Sequence, residues 1–296
     1  MKYIITGSLG HVSLPVTKNL VEAGHEVIVI SSNPDKKQEI EALGAKAAIG
    51  SVTDADFIKS TFKNADAAYL MIPSSFSLTD YENFQLEVAA IYLQALQDSN
   101  IKHVVLLSSL GAHLREGAGP IDALGYLEEK LLAFPELNLV FLRPSYFFSN
   151  LFSLGGLIQN AGIAGNNYGD TDEKLVLTST DHIAEVATEQ LLNLFTGKSV
   201  INIANDERHP NEIAAILGNA IGKADTPWVT FTDEQAYEGM LGAGLNESFA
   251  SLYVEMGQAV RNGKMQEEYW KNRPVRLGSY KLEDFAKEFA GAFAKA

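Results

Sequence analysis

The chain has 296 residues, of which 46% are hydrophobic and 20% are charged, so a disordered or collagen-like protein is excluded, while one large domain or two fused ones are allowed. Its 23 lysines and arginines stand against 37 aspartates and glutamates, and the net charge of −14 argues against nucleic acid and anionic membranes as partners. Cysteine is absent, which excludes disulfides, thiolate metal sites and cysteine nucleophiles.

Short apolar runs alternate with amphipathic stretches over the first half of the chain. The apolar runs predict strands at residues 3–5, 27–30, 45–49, 67–72, 104–107 and 137–142. The amphipathic stretches predict helices at residues 12–23, 36–43, 54–62, 81–99 and 124–134. Such alternation is typical of an α/β fold with a doubly wound parallel sheet.

The regularity ends after Arg143. Glycines crowd the next stretch and predict loops there: Gly155, Gly156, Gly162, Gly165 and Gly169. Further on, the pattern predicts a helix at residues 182–194, a strand at 200–204, a helix from 211 and a largely helical tail from 233. We therefore expect a larger domain at residues 1–150, built on the parallel sheet and completed by late strands from 175–205. A smaller α+β lobe at 151–296 would be interleaved with it.

Targeting and metal-binding signals are weak. The first apolar run is too short for a signal peptide, and no run reaches the roughly 18 residues of a membrane span, so we expect a cytoplasmic protein with no membrane partner. The six histidines show no paired metal-ligand spacing, and we expect no metal site.

A glycine-rich turn, Thr-Gly-Ser-Leu-Gly-His-Val-Ser at residues 6–13, stands between the first predicted strand and the first predicted helix. The first glycine would make a tight turn and the second would let a pyrophosphate approach the backbone, where helix N–H groups bind anions. Ser13 occupies the position of a third glycine. The pattern predicts a dinucleotide site made by Gly7, Ser8, Leu9, Gly10, His11 and Val12.

The end of the second predicted strand indicates which dinucleotide is preferred. An acidic residue there favours NAD, whereas basic residues favour NADP. No acid follows Ile30; Ser31, Ser32 and Asn33 can donate to a 2′-phosphate, and Lys36 can supply charge. We therefore expect NADP(H) to be favoured over NAD(H). The end of the fourth strand, where such a cofactor passes, adds Met71, Ile72, Pro73 and Ser74 as candidate contacts.

These residues resemble the NmrA-like branch of the atypical short-chain dehydrogenases, which includes NAD(P)H:quinone reductases and dye-reductase relatives. The matching segments are residues 6–13, 31–36, 69–73, 104–111, 128–150, 180–187 and 282–293. The resemblance implies a Rossmann sheet of about seven strands. It also implies a small C-terminal lobe that covers the nicotinamide and the substrate, and a strand at residues 141–150 that runs into the floor of the cleft.

Tyr126 and Lys130 match the Tyr-x-x-x-Lys spacing of catalytic short-chain dehydrogenases. One helical turn would place them on the same face, where the ammonium lowers the tyrosine pKa, and Ser108 or Ser109 would polarise a carbonyl. The register argues against this dyad, because Lys130 lies only 13 residues before Arg143, against roughly twenty in catalytic relatives.

Two other interpretations of this helix remain open. One is an ordinary helix with Leu127, Leu131 and Leu132 inward and Glu128, Glu129 and Lys130 solvated; the other is that Lys130 alone contacts the cofactor. Tyr126, Lys130 and Ser108 are thus catalytic candidates without an assigned role.

The aromatic run at residues 146–148 is the candidate substrate contact. Consecutive residues on a strand cannot all face one way. One reading is therefore mixed core packing, and the other places Tyr146, Phe147 or Phe148, with Asn150, beside a flat acceptor.

The motifs together favour an NADPH-dependent oxidoreductase that transfers hydride to a small quinone-like or aromatic acceptor. The alternatives are a non-catalytic NAD(P)-binding redox sensor that acts through a protein partner and, more weakly, a nucleotide-sugar epimerase, which would need the dyad. Homodimerisation is a further expectation that the sequence leaves open.

Overall fold

The computed structural model describes residues 1–74, 78–169 and 173–293. The strands within these ranges are β1 Lys2–Ile5, β2 Glu26–Ser31, β3 Lys46–Ile49, β4 Ala67–Leu70, β5 His103–Leu107, β6 Asn138–Pro144, β7 Tyr146–Phe147, β8 Ala164–Asn166, β9 Leu175–Thr178, β10 Lys198–Ile203, β11 Asp206–Arg208 and β12 Trp228–Thr230. The helices are α1 Ser13–Glu22, α2 Lys36–Ala42, α3 Ala55–Phe62, α4 Tyr81–Gln97, α5 Asp122–Leu132, α6 Gly155–Ala161, α7 Thr180–Asn193, α8 Pro210–Ala220, α9 Asp233–Gly242, α10 Glu247–Arg261, α11 Glu267–Lys271 and α12 Leu282–Phe293. Short 3-10 helices lie at Gly119–Ile121, Phe148–Leu154 and Lys264–Gln266.

The main sheet has seven strands in the described part of the chain, in the order β3-β2-β1-β4-β5-β6-β10, and all of its pairings are parallel. This order confirms the predicted Rossmann fold. The direction in which successive strands are added reverses between β1 and β4, and ligands of open α/β sheets bind at such a switch point.

Helices cover both faces of this sheet. Side chains of α3, α4 and α5 pack on one face, and side chains of α1, α2 and α7 pack on the other. The central strands are largely apolar because both of their faces are buried, and every residue of β4 is inaccessible to solvent.

The C-terminal lobe is built on two small sheets, β11-β9-β7 and β12-β8. Its core joins α6, α8 and α12, with Phe148, Phe285 and Phe289 almost fully buried. Two connections tie the lobe to the main sheet. β10 follows the first lobe elements in the chain yet pairs with β6, and β7 continues directly from β6 into the lobe sheet.

The prediction that the glycine-rich stretch after Arg143 forms loops is wrong in part. Gly155 begins α6, and Gly165 lies in β8. A Cβ atom on Gly155 would lie 2.2 Å from the Phe293 ring, and one on Gly165 would lie 2.3 Å from the Val229 carbonyl oxygen. These two glycines therefore serve close packing of regular elements.

No helix in residues 1–74, 78–169 and 173–293 combines the length and the apolar character needed to cross a membrane.

Truncation of Phe285 tests how strongly the lobe depends on its aromatic core. Its ring lies 4.9 Å from that of Phe152 and 5.8 Å from that of Phe148, measured between centroids. We expect Phe285→Ala to lower the free energy of unfolding by about 3–5 kcal/mol, measured by urea denaturation. Lys287→Ala, on the same helix with a side chain 78% exposed, should change it by about 0.5 kcal/mol or less. Equal effects of the two substitutions would contradict this view of the lobe.

Candidate functional site

The turn between β1 and α1 leaves no room for a side chain at Gly7 and little room at Gly10. Gly7 and Ser8 both have left-handed backbone conformations, with φ of +89° and +55°. A Cβ atom on Gly7 would lie 2.6 Å from Ser13 Oγ and 3.0 Å from Met71 Sδ, and one on Gly10 would lie 3.1 Å from the Gly7 carbonyl oxygen. Glycine at these two positions therefore lets the turn pack closely against α1 and the end of β4.

The same turn leads into the N-terminus of α1. Helix N-termini leave N–H groups without intrahelical partners, and these groups attract anions. Ser13, the departure from a third glycine, is buried and its hydroxyl donates to the Thr6 carbonyl oxygen at 2.8 Å, which ties the helix to the strand. The cradle and the helix end together fit the pyrophosphate of a dinucleotide.

The end of β2 is joined to this turn. Ser8 N donates to the Ile30 carbonyl oxygen at 3.1 Å, and Ser8 Oγ donates to Ser31 Oγ at 2.9 Å. Asn33 N donates to Ser31 Oγ at 3.2 Å, and Lys36 Nζ forms an ion pair with Glu39 at 2.9 Å. Ser32, Asn33 and His11 are exposed. The structure thus places the predicted ribose-end residues beside the glycine turn.

The segment after β4 is attached to β1 across the switch point. Met71 N donates to Thr6 Oγ1 at 2.7 Å, and the Tyr92 hydroxyl donates to the Met71 carbonyl oxygen at 3.0 Å. These two bonds hold Met71 against Gly7, whose Cβ position lies 3.0 Å from Met71 Sδ. The glycine turn and the end of β4 therefore form one continuous surface.

A cavity of about 310 Å³ opens beside this surface. It brings together residues that the sequence assigned separately to cofactor and to substrate: Met71, Ile72, Ser74, Ser108, Tyr146, Phe147 and Asn150. Pro73 is half-buried and is not part of the lining. An apolar, partly enclosed cavity with a few polar groups is the usual form of a small-molecule site.

The C-terminal lobe supplies lining residues that sequence reasoning missed, among them Tyr168, Tyr253, Met256 and Met265. They come from segments without a motif, so only the folded lobe reveals them. Burial raises the pKa of Tyr168 to about 12, and burial is also the main cause that raises the pKa values of Tyr146 and Tyr253. These phenols therefore stay protonated at neutral pH and act as hydrogen-bonding groups, not as bases.

Phe148, one of the candidate substrate contacts, lies outside this cavity. The chain turns into a 3-10 helix at this residue, which directs the ring into the lobe core against Phe285 and against Tyr280, 5.3 Å away. Its side chain is 3% exposed. Phe148 therefore packs the core, whereas Tyr146 and Phe147 line the cavity.

The Tyr126–Lys130 pair also lies outside the cavity. Tyr126 is 37% exposed, and Lys130 Nζ lies 5.2 Å from the centre of its ring and 3.7 Å from Glu129. The two residues occupy the solvent face of α5. This placement separates them from the cavity-lining groups and removes the geometric basis of a catalytic dyad.

The inward face of α5 differs from the expectation at two positions. Leu132, expected inside, is 45% exposed, and Glu128, expected in solvent, is 4% exposed. Glu128 accepts hydrogen bonds from Ser108 Oγ at 2.5 Å, from Arg143 Nε at 3.0 Å and from Arg143 Nη2. The Arg143 guanidinium on β6 offsets the cost of burying the carboxylate, which explains why an acid lies inside.

This arrangement changes the role expected for Ser108. Its proton is directed at Glu128, so the hydroxyl is not free to polarise a carbonyl. Within the described residues, no group of three or more histidine, aspartate or glutamate side chains is placed to hold a metal ion.

Gly7→Ala tests the dinucleotide cradle. The added methyl would meet Ser13 and Met71, so we expect affinity for NADPH, measured by calorimetry, to fall by about tenfold or more. Gly24→Ala is the matched control, because Gly24 is also left-handed, with φ of +81°, but has open space around its Cβ position. Both variants bear a similar backbone strain of about 1–2 kcal/mol. An equal loss of affinity in the two would show that strain, and not the cradle, is responsible.

Comparison with known proteins identifies one family and several solved structures with a similar fold. The model of the NAD(P)H-binding family matches residues 7–193. No curated protein matches the chain significantly in sequence.

Solved structures with a similar fold include the NADPH-dependent quinone oxidoreductase of Escherichia coli complexed with NADPH, at 17% identity and a TM-score of 0.80, covering 97% of this chain and 99% of that one. The triphenylmethane reductase of Citrobacter sp. is 17% identical with a TM-score of 0.79, covering 98% and 100%. A nucleoside-diphosphate-sugar epimerase of Staphylococcus aureus is 14% identical with a TM-score of 0.76, covering 97% and 100%.

The family match spans residues 7–12 of the glycine turn, five of the seven strands of the main sheet (β2 to β6) and α7. It confirms the NAD(P)-binding part of the resemblance that the sequence motifs indicated. The chain belongs to the NAD(P)H-binding family.

Proposed function

We propose that this protein is an NADPH-dependent oxidoreductase that transfers hydride to a small quinone-like or aromatic acceptor. One observation carries the proposal. The cavity at the switch point is lined on one side by the ends of β4 and β5, where a Rossmann cofactor passes, and on the other by aromatic and methionine side chains of the lobe.

The cofactor would be held by three groups of residues. The turn at residues 7–12 binds the pyrophosphate, Ser31, Ser32, Asn33 and Lys36 bind the ribose end, and residues 71–74 with Ser108 lie beside the nicotinamide. NADPH, when bound, supplies the hydride. The protein's own contribution is to orient the two reactants, to keep water out and to provide hydrogen bonds.

The protonation states in the cavity favour an acceptor that needs no acid from the protein. In a catalytic tyrosine–lysine dyad, the lysine lowers the tyrosine pKa. Here burial raises the pKa values of Tyr146, Tyr168 and Tyr253, so their protons are held more tightly than in water. A quinone or a dye can accept hydride directly and take its proton from water. The names of the quinone oxidoreductase and the triphenylmethane reductase support the same acceptor class.

A redox sensor is the second candidate function. The exposed position of Tyr126 and Lys130 favours it, because a protein that only binds NAD(P) has no use for a dyad in the cavity. Such a sensor would bind oxidised and reduced cofactor with unequal affinity and would act through a protein partner or a second copy of the chain. The epimerase hypothesis is weaker, since that reaction needs the dyad.

Turnover with a panel of acceptors tests the oxidoreductase proposal. We expect steady-state NADPH oxidation with quinones or dyes to exceed the rate with simple carbonyl compounds. Tyr126→Phe should keep at least about half of the wild-type rate, because its hydroxyl lies outside the cavity. Tight NADPH binding without turnover of any acceptor would leave the sensor as the function. Loss of turnover in Tyr126→Phe would show instead that the Tyr126–Lys130 dyad is catalytic.

Cofactor preference has a separate test. We expect NADPH to bind more tightly than NADH in calorimetry, and we expect Lys36→Ala to weaken NADPH binding about fivefold to tenfold while leaving NADH unchanged, through loss of a charged contact to the 2′-phosphate. Lys37→Ala is the control, since Lys37 is the neighbouring lysine and is more exposed than Lys36. Tighter binding of NADH than of NADPH would refute the assignment of this loop.

A further inference from the structure

The Ser108 hydroxyl has a fixed direction. Ser108 and Glu128 are each 4% exposed, and the hydroxyl donates to the Glu128 carboxylate at 2.5 Å. A hydrogen bond from a hydroxyl to a buried carboxylate is charge-assisted and stronger than a neutral one. Because the single proton of the hydroxyl is used in this bond, the oxygen presents only its lone pairs to the cavity that Ser108 lines.

The carboxylate that sets this direction is itself held. Arg143 donates to both of its oxygens, through Nε at 3.0 Å and through Nη2. The guanidinium has only hydrogen-bond donors, so its two bonds fix the orientation of the Glu128 carboxylate. Ser108 directly follows β5, and Arg143 lies on the adjacent strand β6. The register of these two strands, in which Leu107 pairs with Leu142, fixes the separation of the two residues.

A hydroxyl that only accepts selects a ligand group that donates. An oxidised quinone and a simple ketone carry acceptors alone, so neither can bond to Ser108 in this state. The carboxamide of nicotinamide has an NH₂ group, which is a hydrogen-bond donor. Ser108 follows β5, next to β4, and shares the cavity with Met71 at the switch point.

We propose that Ser108 accepts a hydrogen bond from the carboxamide NH₂ of the nicotinamide, and that Glu128, held by Arg143, is the positioning residue that makes Ser108 an acceptor. The inference rests on the proposed function, because it requires the nicotinamide to occupy this cavity.

Equilibrium binding of two oxidised cofactors tests it without any turnover. The 3-acetylpyridine analogue of NADP⁺ replaces the carboxamide by a methyl ketone, which has no N–H and puts a methyl group where the NH₂ would donate to Ser108. We expect calorimetry to show the analogue binding about tenfold more weakly than NADP⁺. In Ser108→Ala the ratio should fall to about twofold or less, because the group that discriminates is gone.

A second variant separates positioning from mere packing. The double substitution Glu128→Leu with Arg143→Met replaces both charged partners by apolar groups, so no lone charge stays buried. The freed Ser108 hydroxyl can then turn and donate to the ketone, and we expect the ratio to fall to about threefold or less. Glu129→Gln, at the adjacent position on α5 with a side chain 44% exposed, should keep the tenfold ratio. Thermal unfolding confirms that each variant is folded.

The outcomes are distinct. A wild-type protein that binds neither cofactor refutes the proposed function. A wild-type protein that binds both equally, or a Ser108→Ala variant that keeps the tenfold ratio, refutes the hydrogen bond while leaving the proposed function intact. A double variant that keeps the full ratio refutes the positioning role of Glu128.

Discussion

Every strand of the main sheet points the same way, and the rest of the molecule depends on this constraint. Parallel strands end at one edge, so the segments that follow them must meet there. β1 leads to Gly7, β4 leads to Met71, and β5 leads to Ser108. The bond from Met71 N to Thr6 Oγ1 joins the first two segments across the switch point. A site for a long, extended ligand thus results from strand direction before any individual side chain is considered.

The lobe completes what the sheet edge begins. β6 runs into β7, and β7 pairs with β9, so the chain that leaves the sheet becomes part of the lobe wall. This continuity places Tyr146 and Phe147 against the cavity and Phe148 in the lobe core. Aromatic side chains and protonated phenols thus form the wall of the cavity that faces the ends of β4 and β5.

The main sheet and its helices could be predicted from the sequence because their apolar patterns are local. The fourth strand was expected to reach Ile72 but ends at Leu70, since Met71 N bonds to the Thr6 side chain and not to a neighbouring strand. The lobe was less predictable, because the need for glycine at 155 and 165 comes from contacts with residues far away in the sequence. The positions of Tyr168 and Tyr253 in the cavity likewise depend on how the lobe folds.

Helix α5 shows the same limit within the site. Residues 128 and 132 lie one helical turn apart and both flank Leu131. The hydropathy of the two side chains assigns the leucine inward and the glutamate outward. The opposite is found because Arg143, on a strand that follows α5 in the chain, supplies a partner for Glu128. The glycine turn, by contrast, was recognisable because its backbone requirement is encoded by adjacent residues.

The negative charge of the chain bears on how such a site can hold an anion. The two lysines nearest the end of β2 each face a glutamate on α2, Lys36 with Glu39 and Lys37 with Glu41. Lys36 is assigned to the ribose end of the cofactor, so attraction for the pyrophosphate must come from the backbone dipoles of the glycine turn and the α1 N-terminus. Fixed dipoles at short range are screened by salt much less than exposed ion pairs are. A strongly acidic protein can therefore bind a multiply charged cofactor without a basic surface, which is why the −14 charge argues against nucleic acid but not against a dinucleotide.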